Sequence, residues 1–203
     1  MASMLLSLFT HQDFLHIYFT IQGLYVMSRS WENQASAHHG QLPKNLMSPE
    51  KFVAFYLSAG VVASFGSLLL KKMSNNFTST VGGSGAVLGL FGYMSMKSPQ
   101  SNIRIFAIPF TTVKGETAIL ISIAVDLVGL LGKLTNWRYL PKLQSLVKLY
   151  YMLGWRGRNV CHAAHLAGLL FGIWYAVYGE MLLYQWSNFV LQIWNLVCSG
   201  VFG

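Results

Sequence analysis

Apolar residues fall in blocks along this chain, separated by short polar segments. Phe52–Leu70 runs nineteen residues without a charge, which at about 1.5 Å rise per residue nearly crosses a ~30 Å hydrocarbon core. Gly82–Met96, Thr117–Gly132 and His162–Tyr178 are shorter but similarly poor in charge. Met4–Met27 is a mixed apolar stretch interrupted by His11, Gln12, Asp13, His16 and Gln22. A single short block reads as the core helix of a soluble domain. Several such blocks in one small chain predict an all-α, polytopic membrane helix bundle. The expected spans are residues 14–30, 52–70, 82–97, 116–132 and 160–179, in a transmembrane domain covering residues 1–180. An interfacial stretch precedes the first span.

The segments between the blocks are polar. Ser28–Lys51 is a loop with Pro43, Pro49 and the adjacent pair His38-His39, read as exposed loop histidines. Lys71–Thr80 is rich in Ser, Thr and Asn, and Lys97-Ser98-Pro99 stops the third span. Ile103–Val113 is apolar but only eleven residues long and is broken by Pro109. It is too short to cross and is expected to be interfacial or re-entrant. Lys133–Gly154 is basic and aromatic where a short turn would suffice, either a surface insertion or an artefact of the gene model. Beyond Met181, residues Leu182, Trp186, Phe189, Val190, Ile193, Trp194 and Val197 share one helical face. The tail 181–203 is therefore expected to be an amphipathic helix lying on the bilayer or on another subunit.

Composition agrees with this pattern. Of the 203 residues, 54% are hydrophobic and 10% charged, against about a quarter charged in soluble domains. The net charge of +8 does not point to nucleic acid, because the basic residues sit between apolar blocks and not in one patch. Anionic lipid headgroups are the expected partner of Lys71-Lys72 and of the run from Lys133 to Arg158. The two cysteines, Cys161 and Cys198, have no metal-binding spacing, so no metal is expected from them. The first residues show no charged region followed by a small-residue cleavage site, so no removable signal is read there.

Two apolar blocks carry groups with chemistry. Ser84 lies in Gly83-Ser84-Gly85-Ala86, and His165 lies in His165-Leu166-Ala167-Gly168. If residues 103–113 do not cross, one span separates the starts of these two helices, and both enter the membrane from the same side. Ser84 then falls about three residues into its helix and His165 about five into its own, at similar depth below one face. Gly85, Gly89 and Gly92 form one face of the third span, and Gly168 and Gly172 share a side of the fifth with His165. Small-residue faces let helix backbones approach closely in lipid. Such an approach brings a serine and a histidine within the hydrogen-bond reach that nucleophilic catalysis requires.

The pair predicts acyl transfer, with Ser84 as nucleophile and His165 as base. No acidic residue sits nearby in sequence. Asp126, in the fourth span, is a candidate third member, but pairing with Lys or Tyr for structure is the preferred reading, leaving a Ser–His dyad oriented by packing. Oxyanion donors are expected from backbone amides at Gly83 and Gly85, in a glycine-rich helix start, and from His16 and Thr20 one turn apart on the first helix. The threonine hydroxyl has an alternative partner in the carbonyl four residues earlier.

These residues resemble the rhomboid family of intramembrane serine proteases. Gly82-Gly83-Ser84-Gly85 is similar to its nucleophile motif, and Ala164-His165-Leu166-Ala167-Gly168-Leu169-Leu170-Phe171-Gly172 to its histidine helix. Met4-Leu5-Leu6-Ser7, Tyr56-Leu57-Ser58-Ala59-Gly60, His162-Ala163-Ala164-His165 and Phe171-Gly172-Ile173-Trp174-Tyr175 resemble the mitochondrial presenilin-associated rhomboid-like subgroup. The resemblance implies a six-helix rhomboid core and cleavage of single-span membrane proteins. It also implies residence in the mitochondrial inner membrane and the absence of a cofactor. Three departures stand out. The first core helix, which the resemblance places before residue 4, is missing; Thr20 stands where an asparagine is expected; and Lys133–Gly154 interrupts the region between the fourth and fifth spans. Intact Ser84 and His165 favour a serine endopeptidase. The departures favour an impaired relative that binds membrane helices without cutting them. A channel or carrier subunit would need polar residues along a continuous path, and here they concentrate near one face.

Overall fold

The structure is a computed structural model. It describes Met4, residues 6–11, 14–36, 47–74, 83–104, 112–135 and 161–179, and Met181, Leu182, Gln185, Asn188 and Gln192. A 3-10 turn at Ser7–Phe9 precedes helix α1, Phe14–Ser36. Helix α2 runs Pro49–Ser74 and α3 runs Ser84–Lys97. Strands β1, Asn102–Arg104, and β2, Thr112–Lys114, lead to α4, Gly115–Thr135. Helix α5, His162–Trp174, continues into a π-helical turn at Tyr175–Gly179.

The longest helix shows why the sequence folds this way. Pro49 takes the first helical position of α2, where a missing N–H costs nothing. Glu50 in the first turn and Lys71 and Lys72 in the last complement the helix dipole. Among the described residues, the stretch Pro49–Lys72 is the one helix long and apolar enough by itself to cross a membrane. Phe14, Phe65, Leu120 and Leu170 are all more than half exposed. Apolar side chains on the outside suit a lipid surround, and helices satisfy their backbone polar groups there without water.

Helix α5 sits at the centre, packed against α2, α3 and α4, while α1 packs against α3. The α3–α5 contact is backbone to backbone. A Cβ on Gly168 would collide with the carbonyl oxygen of Gly85, and one on Gly172 with that of Gly89. From the other side, a Cβ on Gly92 would stand 2.7 Å from the Leu169 carbonyl oxygen, and one on Gly85 2.9 Å from that of Ala164. Only glycine permits this approach, in which dispersion over a close interface replaces the hydrophobic driving force absent in lipid. Below the glycine seam, Phe55 of α2 stacks on Phe171 at 5.4 Å and meets Tyr175 edge-on at 4.9 Å. Leu8 from the 3-10 turn is 3% exposed and joins this core, so part of the stretch expected at the interface is interior.

One segment takes a local structure that was not expected, α4 ends later than expected, and several stretches fall outside the described residues. Ile103–Val113 was expected to be interfacial or re-entrant within an all-helical chain. Its ends pair as an antiparallel ribbon, a local structure the pattern did not predict, with Ile103 opposite Val113 and Arg104 opposite Thr112. The chain thus returns to the point it left; residues 105–111 lie outside the described residues. Helix α4 ends at Thr135, three residues past its expected end. Residues 136–154, His38-His39 and most of the tail 181–203 lie outside the described residues.

Candidate active site

Ser84 is the first residue of α3, preceded by Gly83 in a non-helical conformation, with φ −74° and ψ 2°. The sequence placed it about three residues inside a helix starting at 82, but the α-helix begins two residues later. The first bond of this helix end runs from Val87 N–H to the Gly83 carbonyl, at 3.0 Å. The amides just before Val87 belong to the turn that has no carbonyl of its own to bond. His165 is in the first turn of α5, its N–H bonded to the Cys161 carbonyl at 3.0 Å. Ser84 Oγ and His165 Nε2 are 3.0 Å apart, a distance that permits direct proton transfer.

The opposite nitrogen of the imidazole departs from the reading of a bare dyad. His165 Nδ1 donates to Asp126 Oδ1 at 3.2 Å, and His162 Nδ1 donates to the same oxygen at 2.7 Å. Asp126 therefore pairs with two histidines, and not with a lysine or tyrosine for structure. The reason is geometric. One turn of α4 faces the first turn of α5, where His162 and His165, three residues apart, lie on one side of the helix. Side-chain exposure falls from 16% at His165 to 4% at Asp126. The His165 end of this hydrogen-bonded group is partly exposed and the Asp126 end is buried.

The oxyanion candidates divide. His16 Nε2 lies 3.4 Å from Ser84 Oγ, longer than the usual hydrogen-bond distance. Thr20 Oγ1 donates to the His16 carbonyl at 2.8 Å, so its proton is committed to its own helix. Its methyl group faces Gly83, whose missing side chain leaves room for the Tyr56 hydroxyl and the Leu8 carbonyl. Gly83 and Gly85 flank Ser84, with Gly85 also in the glycine seam.

Asp126, His162 and His165 have ligand-type atoms all within 4.8 Å of one another, the one group among the described residues with the composition of a metal site. Both imidazoles bond Asp126 Oδ1 through Nδ1. Sequence reasoning set Asp126 aside as a structural carboxylate and passed over His162. The available signal was that an ionisable residue inside a membrane helix marks a functional site by default.

The model of the Rhomboid domain matches residues 1–181. The chain belongs to the rhomboid family. This rhomboid is 31% identical over 194 residues to the mouse presenilin-associated rhomboid-like protein, mitochondrial, covering 96% of the chain and 42% of that relative. The human protein of the same name is 30% identical over 194 residues, with the same coverage. The zebrafish presenilin-associated rhomboid-like protein A, mitochondrial, is 28% identical over 192 residues, covering 95% of the chain and 41% of the relative. The chain thus spans about two-fifths of the length of the relatives it matches. No solved structure matches it. Family and relatives make it an integral membrane protein of mitochondria.

Proposed function

We propose that this rhomboid is an intramembrane serine endopeptidase of the mitochondrial inner membrane that cleaves single-span membrane proteins. The 3.0 Å approach of Ser84 Oγ to His165 Nε2 carries this reading. Ser84 Oγ attacks the scissile carbonyl as its proton passes to His165 Nε2. The tetrahedral intermediate collapses, the C–N bond breaks, and His165 returns the proton to the leaving amine. Water then attacks the acyl-enzyme, giving its proton to His165, and the ester bond to Ser84 breaks as Oγ is reprotonated. Asp126 accepts from Nδ1–H throughout, which holds Nε2 as the basic nitrogen and stabilises the imidazolium that forms. The developing oxyanion is held by the early amides of α3 at Gly83–Gly85, with His16 Nε2 as the side-chain donor.

The glycine seam is part of this machinery. It sets the separation of α3 and α5, hence the Ser–His distance. A second reading, a helix-binding relative without turnover, is favoured by one observation: Thr20 spends its hydroxyl on the His16 carbonyl, leaving the oxyanion one donor short. A reconstituted cleavage assay with a tethered single-span substrate decides between them. The protease reading expects cleavage by the wild-type chain and none by Ser84→Ala. Binding of substrate without cleavage by either protein supports the second reading.

A further inference from the structure

We propose that His162 is a positioning residue, which fixes the Asp126 carboxylate so that Asp126 in turn orients His165. The inference rests on the Ser84–His165–Asp126 reading above. His162 is 1% exposed, the most buried of the polar residues at this site. Its hydrogen bond to Asp126 Oδ1, at 2.7 Å, is shorter than the 3.2 Å bond from His165 to the same atom. The closer partner, and not the catalytic base, therefore sets where that oxygen points. A carboxylate turns about a broad, roughly two-fold torsion, so one long bond is a weak constraint on it. Two donors on one oxygen use both of its lone-pair directions and leave a single orientation.

The fold makes a place for the second histidine. Gly129 lies one turn after Asp126 on α4, and a Cβ there would collide with the His162 ring. The imidazole thus rests on bare backbone, in register with Asp126. Cys161 Sγ, which donates to Ser67 Oγ of α2 at 2.9 Å, ties down the residue just before His162. The His162 and His165 rings meet edge-on, 6.2 Å apart at 82°.

The test is a kinetic comparison in proteoliposomes with a tethered single-span substrate, kcat and KM being measured for the wild type, His162→Ala, His162→Asn, Asp126→Ala and the Asp126→Ala/His162→Ala pair. Thermal unfolding in detergent accompanies each variant. His162→Ala should lower kcat at least ~10-fold with KM within about twofold, the pattern of a group that matters in the transition state. His162→Asn puts a side-chain N–H near the Nδ1 position and should recover most of that loss. In the Asp126→Ala background, His162→Ala should cost nothing more, because its effect passes through the carboxylate. Full kcat in folded His162→Ala overturns the inference, as does equal loss in His162→Asn or an additive loss in the pair. Where His162→Ala does not fold, the folded His162→Asn variant decides, and wild-type-like kcat is required of it. Activity abolished by a chelator and restored by zinc would assign the three residues to a metal and also overturn it. Cleavage by Ser84→Ala would sink the underlying reading instead. An inactive Ser84→Ala beside a fully active His162→Ala sinks only the role of His162.

Discussion

Replacing Gly168 by alanine adds one methyl group at the point where α5 lies on the backbone of α3. That carbon would overlap the Gly85 carbonyl oxygen, whereas ordinary contacts there begin at 3.4 Å. Backbone cannot rotate away as a flexible side chain can, so the two helices must separate by on the order of 1 Å. Gly85 adjoins Ser84 and Gly168 lies one turn from His165, so the separation falls on the Ser84–His165 hydrogen bond. Stretched from 3.0 Å by such an amount, the contact leaves hydrogen-bond range. General-base assistance contributes about 10²–10⁴-fold, and a 1 Å misplacement costs about 10²-fold. Gly168→Ala should therefore lower kcat by about 10²-fold while leaving KM within a few-fold, and Gly168→Leu should be more severe. The assay is cleavage of a tethered substrate in proteoliposomes, normalised to the folded fraction from size-exclusion chromatography. Leu170→Ala, on the exposed side of the same helix, is the control and should stay near wild type. A folded Gly168→Ala protein with wild-type kcat would refute the claim that the glycine seam sets the catalytic distance.

Three further substitutions probe the rest of the site. Asp126→Asn should reduce kcat by ~10²-fold or more through loss of the tautomer that leaves Nε2 basic, checked by steady-state kinetics at matched folded protein. Thr20→Asn should raise kcat about 10-fold with KM unchanged, because an amide reaches the oxyanion where the hydroxyl is spent on the His16 carbonyl; an unchanged kcat would mean that α1 does not line the oxyanion site. His16→Ala should lower kcat in both the wild-type and Thr20→Asn backgrounds, and the kinetics of the four proteins together show whether the two positions act on one intermediate.

The helices were legible because hydrocarbon imposes long charge-free runs, and the glycine spacing was legible because close packing in lipid demands small residues. The ribbon between α3 and α4 was not, since strands of three residues carry too little alternation to read. Ser84 and His165 stood out as polar groups among small residues. Asp126 was visible as an intramembrane carboxylate, but its partners depended on how α4 and α5 are rotated about their axes, which periodicity alone does not give. His162 was hidden for a further reason. Its place is defined by Gly129 on a different helix, and a glycine in a leucine-rich span has no signature of the ring it accommodates.

The central claim is that Ser84 is an activated nucleophile. Its most direct test is to treat the purified wild-type chain in proteoliposomes with a serine-reactive fluorophosphonate and locate the adduct by peptide mass spectrometry. The account predicts one adduct per chain, on Ser84, absent from Ser84→Ala and greatly slowed in His165→Ala. Substrate cleavage by a preparation that carries no adduct on Ser84 would contradict it.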